Sequence, residues 1–276
     1  MNDEESEETM AMIDIHCHIL PGIDDGAHDE NVSLAMARQA IKEGITQIVA
    51  TPHHRNRSWD NPRPSVLKRV RAINQLFQDH QIGLTVLPGQ EPRIFGEMAE
   101  PSADDELVTV NDNRKYVLVE FPTHHVPRYA QQLFFDLQVK GITPVIVHPE
   151  RNVEIVDHPE ILFHFVNDGA LSQVTAASLI GKNGKKAKKR TLQFIDHNLS
   201  HFVASDAHNV AARPFFMQAA FLQLKKQFGR ELANAFRANA ELLIKGELIN
   251  GNEPSEIKEK SFSEYFNKIG RGNWRP

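Results

Sequence analysis

Six times along this sequence a short apolar run gives way to a histidine, aspartate or glutamate. The first is Met12 to His16, where apolar and polar side chains alternate over β-branched residues, the pattern of a short strand. Strand side chains repeat every two positions, so His16 and His18 share one face and Cys17 takes the other. Two imidazoles at that spacing can hold one divalent ion at about 2.0–2.1 Å from each nitrogen. Pro21 and Gly22 then turn the chain, and Asp24, Asp25 and Gly26 follow on the loop, setting hard carboxylates beside softer imidazoles.

The other five runs repeat the arrangement. Ile45 to Thr51 is a continuous apolar run cut by Pro52, as in a buried parallel strand, and leads to His53. Leu84 to Leu87 leads to Glu91, and Tyr116 to Phe121 carries Glu120 near its end. Thr143 to Val147 leads to His148, and His201 to Ala204 leads to Asp206 and His208. Helical spacing occupies Asp29–Glu43, Ser65–His80, Tyr129–Lys140 and Lys182–Asp196, with further helices near Phe215–Phe228 and Glu231–Ile244. Asn167 to Val174 reads as a helix end and one more strand. Residues 92–113 carry no dominant period, though Asp104 and Asp105 suggest a turn before Leu107–Val110.

This alternation predicts one parallel α/β domain over 12–248, most simply a barrel of about seven strands; an open doubly wound sheet is the alternative. The C-terminal ends of barrel strands share one face, so His16, His18, Asp25, His53, Glu91, Glu120, His148, Asp206 and His208 would meet in one cleft. Nine N and O donors without a thiolate are too many for one tetrahedral zinc and predict two or three ions with open positions.

Composition narrows the surroundings. The formal charge is −5, but Asp3, Glu4, Glu5, Glu7 and Glu8 fall in an acidic lead-in over 1–11, leaving a near-neutral body and no nucleic-acid footprint. No apolar run reaches the roughly 18 residues of a membrane span, so no membrane insertion is expected. The single cysteine, Cys17, excludes an intrachain disulfide and suits a reducing cytoplasm. Cysteine-based phosphatase chemistry needs Arg six positions after the thiolate, and that position is Ile23. Residues 249–276 are polar and read as a docked or flexible tail.

Taken together, His16-x-His18, Asp25, Thr51-Pro-His53, Gly89-x-Glu91, Glu120-Phe, His148-Pro-Glu-Arg151 and Ser205-Asp-Ala-His208 resemble the motifs of the PHP (polymerase and histidinol phosphatase) superfamily. Asp24-Asp-Gly26, His148-Pro-Glu-Arg-Asn152 and Ser205-Asp-Ala-His-Asn209 are most similar to bacterial manganese-dependent protein tyrosine phosphatases of the CpsB/YwqE type. The resemblance runs from about Met12 to Gly246. It implies a distorted (β/α)7 TIM-like barrel with a trinuclear site. By carry-over, one metal takes His16, His18, Glu91 and Asp206, and a second takes Asp25, His53 and His208. A third takes Glu120 and His148 and shares Glu91. The implied partner is the phosphotyrosine tail of a bacterial tyrosine kinase that controls exopolysaccharide synthesis.

The residues themselves suit phosphate monoester hydrolysis. Divalent ions polarise phosphoryl oxygens and lower the pKa of bound water toward neutrality, supplying hydroxide. Arg151, three positions beyond His148, and Arg213, five beyond His208, are candidates to grip the remaining oxygens. Asp206 or His208 is the nearest general acid, although a phenolate leaves without one. Manganese, iron, cobalt and zinc all suit such a donor set. A histidinol-phosphatase-like metabolite phosphatase is the enzymatic rival, and a metal-bound scaffold of the polysaccharide machinery the non-catalytic one. His54, His124 and His125 read as exposed loop residues, with a role in shaping substrate binding as the lesser reading, and the basic run from Lys182 to Arg190 as a solvated helix face with a docking patch as the lesser reading. Trp59, Phe95 and Phe121 suit either the cleft mouth or the core.

Overall fold

The computed structural model describes residues 12–258; the acidic lead-in over 1–11 and the part of the tail over 259–276 lie outside the described residues. The chain alternates strands and helices: β1 (Met12–Cys17), α1 (Glu30–Lys42), β2 (Ile45–Ala50), β3 (His53–His54), α2 (Arg63–Asp79), β4 (Thr85–Pro88), β5 (Glu91–Pro92) and β6 (Tyr116–Val119). There follow α3 (Ala130–Val139), β7 (Thr143–Val147), α4 (Val153–Asp157), α5 (Glu160–Asn167), β8 (Leu171–Thr175), α6 (Ala176–Ile180), α7 (Lys185–Asp196), β9 (Phe202–Ala204), α8 (Met217–Phe228) and α9 (Arg230–Lys245).

Every strand pair is parallel, as the crossover helices require. The strands run β1-β2-β4 in one sheet segment and β6-β7-β8-β9 in another. The two-residue β3 and β5 pair with each other, His53 opposite Glu91, and carry β2 and β4 onward past Pro52 and Gly89. Among the described residues each of the two seams carries one β-bridge, Cys17 to Ala207 and Arg93 to Glu120. Both lie at the strands' C-terminal ends.

Alternation along the strands sorts their apolar side chains into two layers. Ile13, Ile15, Val49, Leu118, Val145, Val147, Phe202 and Ala204 come from both segments and pack together, with Leu243 and Ile244 of α9 among them. Their neighbours Ile48, Val86, Val117, Ile146, Val174 and Val203 pack outward against the helices. This is the inside and outside of a distorted seven-stranded α/β barrel, with β3 and β5 as extensions.

Three stretches take a definite form that the sequence leaves open or bounds differently. Residues 92–113 hold short 3-10 turns at Gly96–Ala99, Pro101–Asp105 and Val110–Asp112. The basic helix starts at Lys185, because Gly184 at φ +93° breaks it from Lys182. The tail does not leave the body at Leu248: Ile249 and Ile257 are buried, and Ser255 N–H donates to the His197 carbonyl at 3.0 Å. Among the described residues no helix is long and apolar enough to cross a membrane.

Candidate metal centre

Six strands deliver donors to one end of the barrel, and β1 shows how. Its pairing with β2 shifts register between Asp14 and Cys17, a bulge. Ile15 therefore joins the inner layer while Cys17, two residues on, joins the outer one. A strict period of two would keep them together, so the bulge re-aims the end of the strand. His16 and His18 then converge, Nε2 to Nε2, at 3.3 Å. Cys17 packs away from them, its thiol donating to the Ala207 carbonyl at 3.5 Å.

The first donor group is His16, His18, Glu91 and Asp206. His16 Nε2 lies 3.4 Å from Glu91 Oε2 and 3.5 Å from Asp206 Oδ1, and His18 Nε2 lies 3.3 and 3.4 Å from the same two oxygens. Donors held tetrahedrally at about 2.1 Å from one ion stand about 3.4 Å apart. The second group forms on Asp25 Oδ1, which is 3.3 Å from both His53 Nε2 and His208 Nε2. In the third, His53, Glu91 and Glu120 offer atoms within 4.8 Å of one another. Here the arrangement departs from the implied set of Glu120, His148 and Glu91. His53 Nδ1 faces Glu91 Oε2 at 3.0 Å, while His148 Nε2 is 2.7 Å from the other oxygen, Glu91 Oε1. All nine expected donors are thus in one cluster, with the His53 ring between the second and third groups.

Two observations fit this cluster to cations. Buried His53 Nδ1, Glu91 Oε2, Glu120 Oε2 and His208 Nε2 make no hydrogen bond, although buried polar atoms almost always do. In addition, three rings are oriented from behind by acceptors. His16 Nδ1 meets Gln173 Oε1 at 3.0 Å, His18 Nδ1 meets Asp24 Oδ2 at 2.7 Å, and His208 Nδ1 meets the Asp206 carbonyl at 2.9 Å. Each contact places the proton on Nδ1 and leaves the Nε2 lone pair facing the cluster.

The surrounding charge is arranged to match. Burial alone would raise the Asp206 carboxyl, but His18, His16, Arg151 and Arg213 together hold it well below the usual carboxylate range. Burial and the neighbouring Glu91 carboxylate push Glu120 up to about 7, against the pull of Arg93 at 3.1 Å. Arg151 Nη1 and Arg213 Nη2 both donate to Asp206 Oδ2, the latter at 2.8 Å. Their side chains are 40% and 37% exposed, so both guanidiniums also face the opening. Trp59 stacks on His53 at 5.7 Å between ring centres.

The backbone is bent to this purpose. His148 at φ 35° and Asp206 at φ 53° are left-handed, each costing roughly 1–2 kcal/mol in a non-glycine residue. Gly26 lies so close that a Cβ there would stand 2.2 Å from the His18 carbonyl oxygen.

Sequence reasoning missed the supporting residues. Asp24 stands in the sequence as a loop acid and in the Asp24-Asp-Gly26 motif, with no partner assigned, and Arg93 carries no motif. Gln173 is one of three buried polar residues in β8, beside Ser172 and Thr175, and nothing in the sequence singles it out. Asp14 accepts from the Ser205 N–H at 2.9 Å and from its hydroxyl, tying β1 to the end of β9. His54, expected on an exposed loop, is instead buried, because β3 pairs it opposite Pro92. Phe121 is in the core against Phe134 and Phe165, whereas His124 and His125 are exposed as expected.

A family model described as capsular polysaccharide synthesis, CpsB/CapC, matches residues 12–245. The chain belongs to the CpsB/CapC family. Tyrosine-protein phosphatase YwqE of Bacillus subtilis is 49% identical over 255 residues, 92% of this chain and all of that one. A putative tyrosine-protein phosphatase CapC of Staphylococcus aureus is 39% identical over 252 residues, 91% of this chain and 98% of that one. Among solved structures, a chain from work on YwqE of Bacillus subtilis and CpsB of Streptococcus pneumoniae, described as unique metal-dependent tyrosine phosphatases, superposes with a TM-score of 0.87. It is 50% identical and covers 90% of this chain and 100% of its own. The nine donors and both arginines of this CpsB/CapC chain fall within the family-matched span.

Proposed function

We propose that this CpsB/CapC member is a metal-dependent protein tyrosine phosphatase. The observation that carries the reading is the convergence of nine imidazole and carboxylate donors, several with buried atoms that make no hydrogen bond, beside two partly exposed guanidiniums. His16, His18, Glu91 and Asp206 would hold one ion, Asp25, His53 and His208 a second, and Glu120 with Glu91 and His148 or His53 a third. Manganese is the proposed ion. Divalent ions in these positions neutralise charge on phosphoryl oxygens and lower the pKa of water toward neutrality.

The chain's own groups do the positioning. Arg151 and Arg213 converge on Asp206 Oδ2 and present their outward N–H groups to the oxygens of an arriving phosphate. Trp59, on the flank of His53, walls the side where an aryl group would sit. A phenolate is a good leaving group, so the reaction makes little demand on a general acid; Asp206, held ionised by His18, His16 and both arginines, does not carry the proton such a role needs. The proposed substrate is a phosphotyrosine protein, a bacterial tyrosine kinase tail, met in the cytoplasm. Residues 12–248 form the phosphatase domain in this reading.

The deciding measurement compares a kinase-tail phosphopeptide with histidinol phosphate, after metal removal and again with manganese restored. Phosphopeptide turnover that appears only with metal and exceeds that of the metabolite is expected. Faster turnover of histidinol phosphate overturns the choice of substrate, and no turnover of either overturns the enzyme.

A further inference from the structure

A groove leaves the metal cluster on the side of Arg151 and Arg213. Its first part is a cavity of about 420 Å³ bounded by Asp206, Arg151 and Arg213 on one side and by Lys182, Asn183 and Phe216 on the other. A second cavity of about 450 Å³ shares Arg151 and Asn183 with it and runs on past Val153 to Lys186. The two form one path from the arginines to the start of α7.

That path is cationic. Of the six basic side chains between Lys182 and Arg190, Lys182 and Lys186 line it with Arg151 and Arg213, in a protein whose formal charge is −5. Lys182 Nζ stands 5.6 Å over the Phe216 ring, which sets its ammonium along the groove wall. Lys186 lies on the outer part, bonded to Asp157 at 2.7 Å, while Lys185 and Lys189 are exposed on the same helix. The carboxylates on the walls are buried, Asp206 at 5% and Glu150 at 2% exposure. Asp206 is covered by both arginines, and Glu150 Oε1 turns inward to the Thr175 N–H and hydroxyl at 2.9 and 2.8 Å.

We propose that this groove docks an acidic stretch of polypeptide flanking the phosphotyrosine, its Asp and Glu side chains running from the arginines toward Lys182 and Lys186. The inference rests on the phosphatase reading for where the substrate enters. It adds a specificity surface outside the reacting atoms, fitted by charge complementarity to one kind of partner. Lysines of this sort act as screened point charges, so the preference belongs in binding and falls with salt.

The test uses the metal-loaded full-length chain and three phosphotyrosyl peptides of equal length with acidic, neutral or basic flanks. The acidic peptide is expected to show a KM about 5–20-fold lower than the basic one at low ionic strength, with similar kcat and most of the difference lost at 0.5 M salt. The double variant Lys182→Glu with Lys186→Glu should erase or invert that order while hydrolysing phenyl phosphate, which has no flank, at the parental rate. Equal KM values, or a preference that survives the double variant, overturn the docking groove. Failure to hydrolyse even phenyl phosphate overturns the phosphatase reading instead. Anisotropy of the same labelled peptides then decides the groove separately, with equal affinities for acidic and basic flanks counting against it.

Discussion

Asp24 shows how much the metal centre depends on atoms one bond removed from it. Its carboxylate accepts from His18 Nδ1 at 2.7 Å and from Gly26 N–H at 2.9 Å, so one side chain both orients the imidazole and shapes the loop. Asp24→Asn preserves the size but removes the anion that strengthens His18 as a base. Metal affinity is expected to fall about 10–100-fold, measured by competition with a fluorescent chelator; undiminished affinity would leave Asp24 as a loop residue only. The nine donors themselves were legible because each follows an apolar run closely, and strand ends meet in space whatever their separation in sequence. Asp24 and Gln173 were not, because their significance lies in a contact with one ring nitrogen. Neither residue type announces such a partner, and Gln173 reaches His16 across 157 positions. The sharing of His53 between two groups was hidden for a similar reason: a sequence names a ligand but not which of its two nitrogens faces which neighbour.

At the level of strands and helices, the long amphipathic and apolar segments were readable from period alone, whereas β3 and β5 were not. Two residues cannot display a period, and their pairing exists only because β2 and β4 have already been brought side by side. The bulge in β1 was equally hidden, since alternation in the letters continues straight through it. Strand β9 carries a consequence for pH. His201, just before it, is buried and accepts from the Ser172 N–H at 3.2 Å, and burial pushes its pKa down to about 4. Unfolded, the ring titrates near 6.5, so between these values the unfolded chain binds the extra proton. Stability from His201 is therefore complete above pH 6.5 and is lost as pH falls toward 4, by at most about 3 kcal/mol. Urea unfolding of metal-free protein at several pH values should show a shallower acid decline for His201→Phe than for the parent. Parallel declines would mean that His201 keeps its ordinary pKa in the fold.

Over the whole molecule, the segment just after Leu248 takes the docked form, one of the two that the sequence allowed. From Ile249 to Ile257 the chain crosses the end of the barrel remote from the metal cluster, with Gly251 against the His201 ring and the Glu253 carbonyl accepting from Asn198 Nδ2 at 2.9 Å. The composition there is polar enough to read as a tail because only two of its side chains, Ile249 and Ile257, are buried. Ending the chain after Leu248 removes both, and at about 1.5–3 kcal/mol for each buried isoleucine the urea midpoint should drop clearly with metal affinity unchanged. An unaltered midpoint would show that the segment merely lies on the surface. At the opposite end, each seam between the two sheet segments carries a β-bridge, Cys17–Ala207 and Arg93–Glu120, beside the donors that both segments contribute. On the proposed reading, ions seated there fasten the two halves like a clasp. Starvation for the cofactor would then do more than idle the enzyme: the lips of the barrel would part first, offering proteases their earliest point of entry, so that the chain's lifetime follows the supply of its metal.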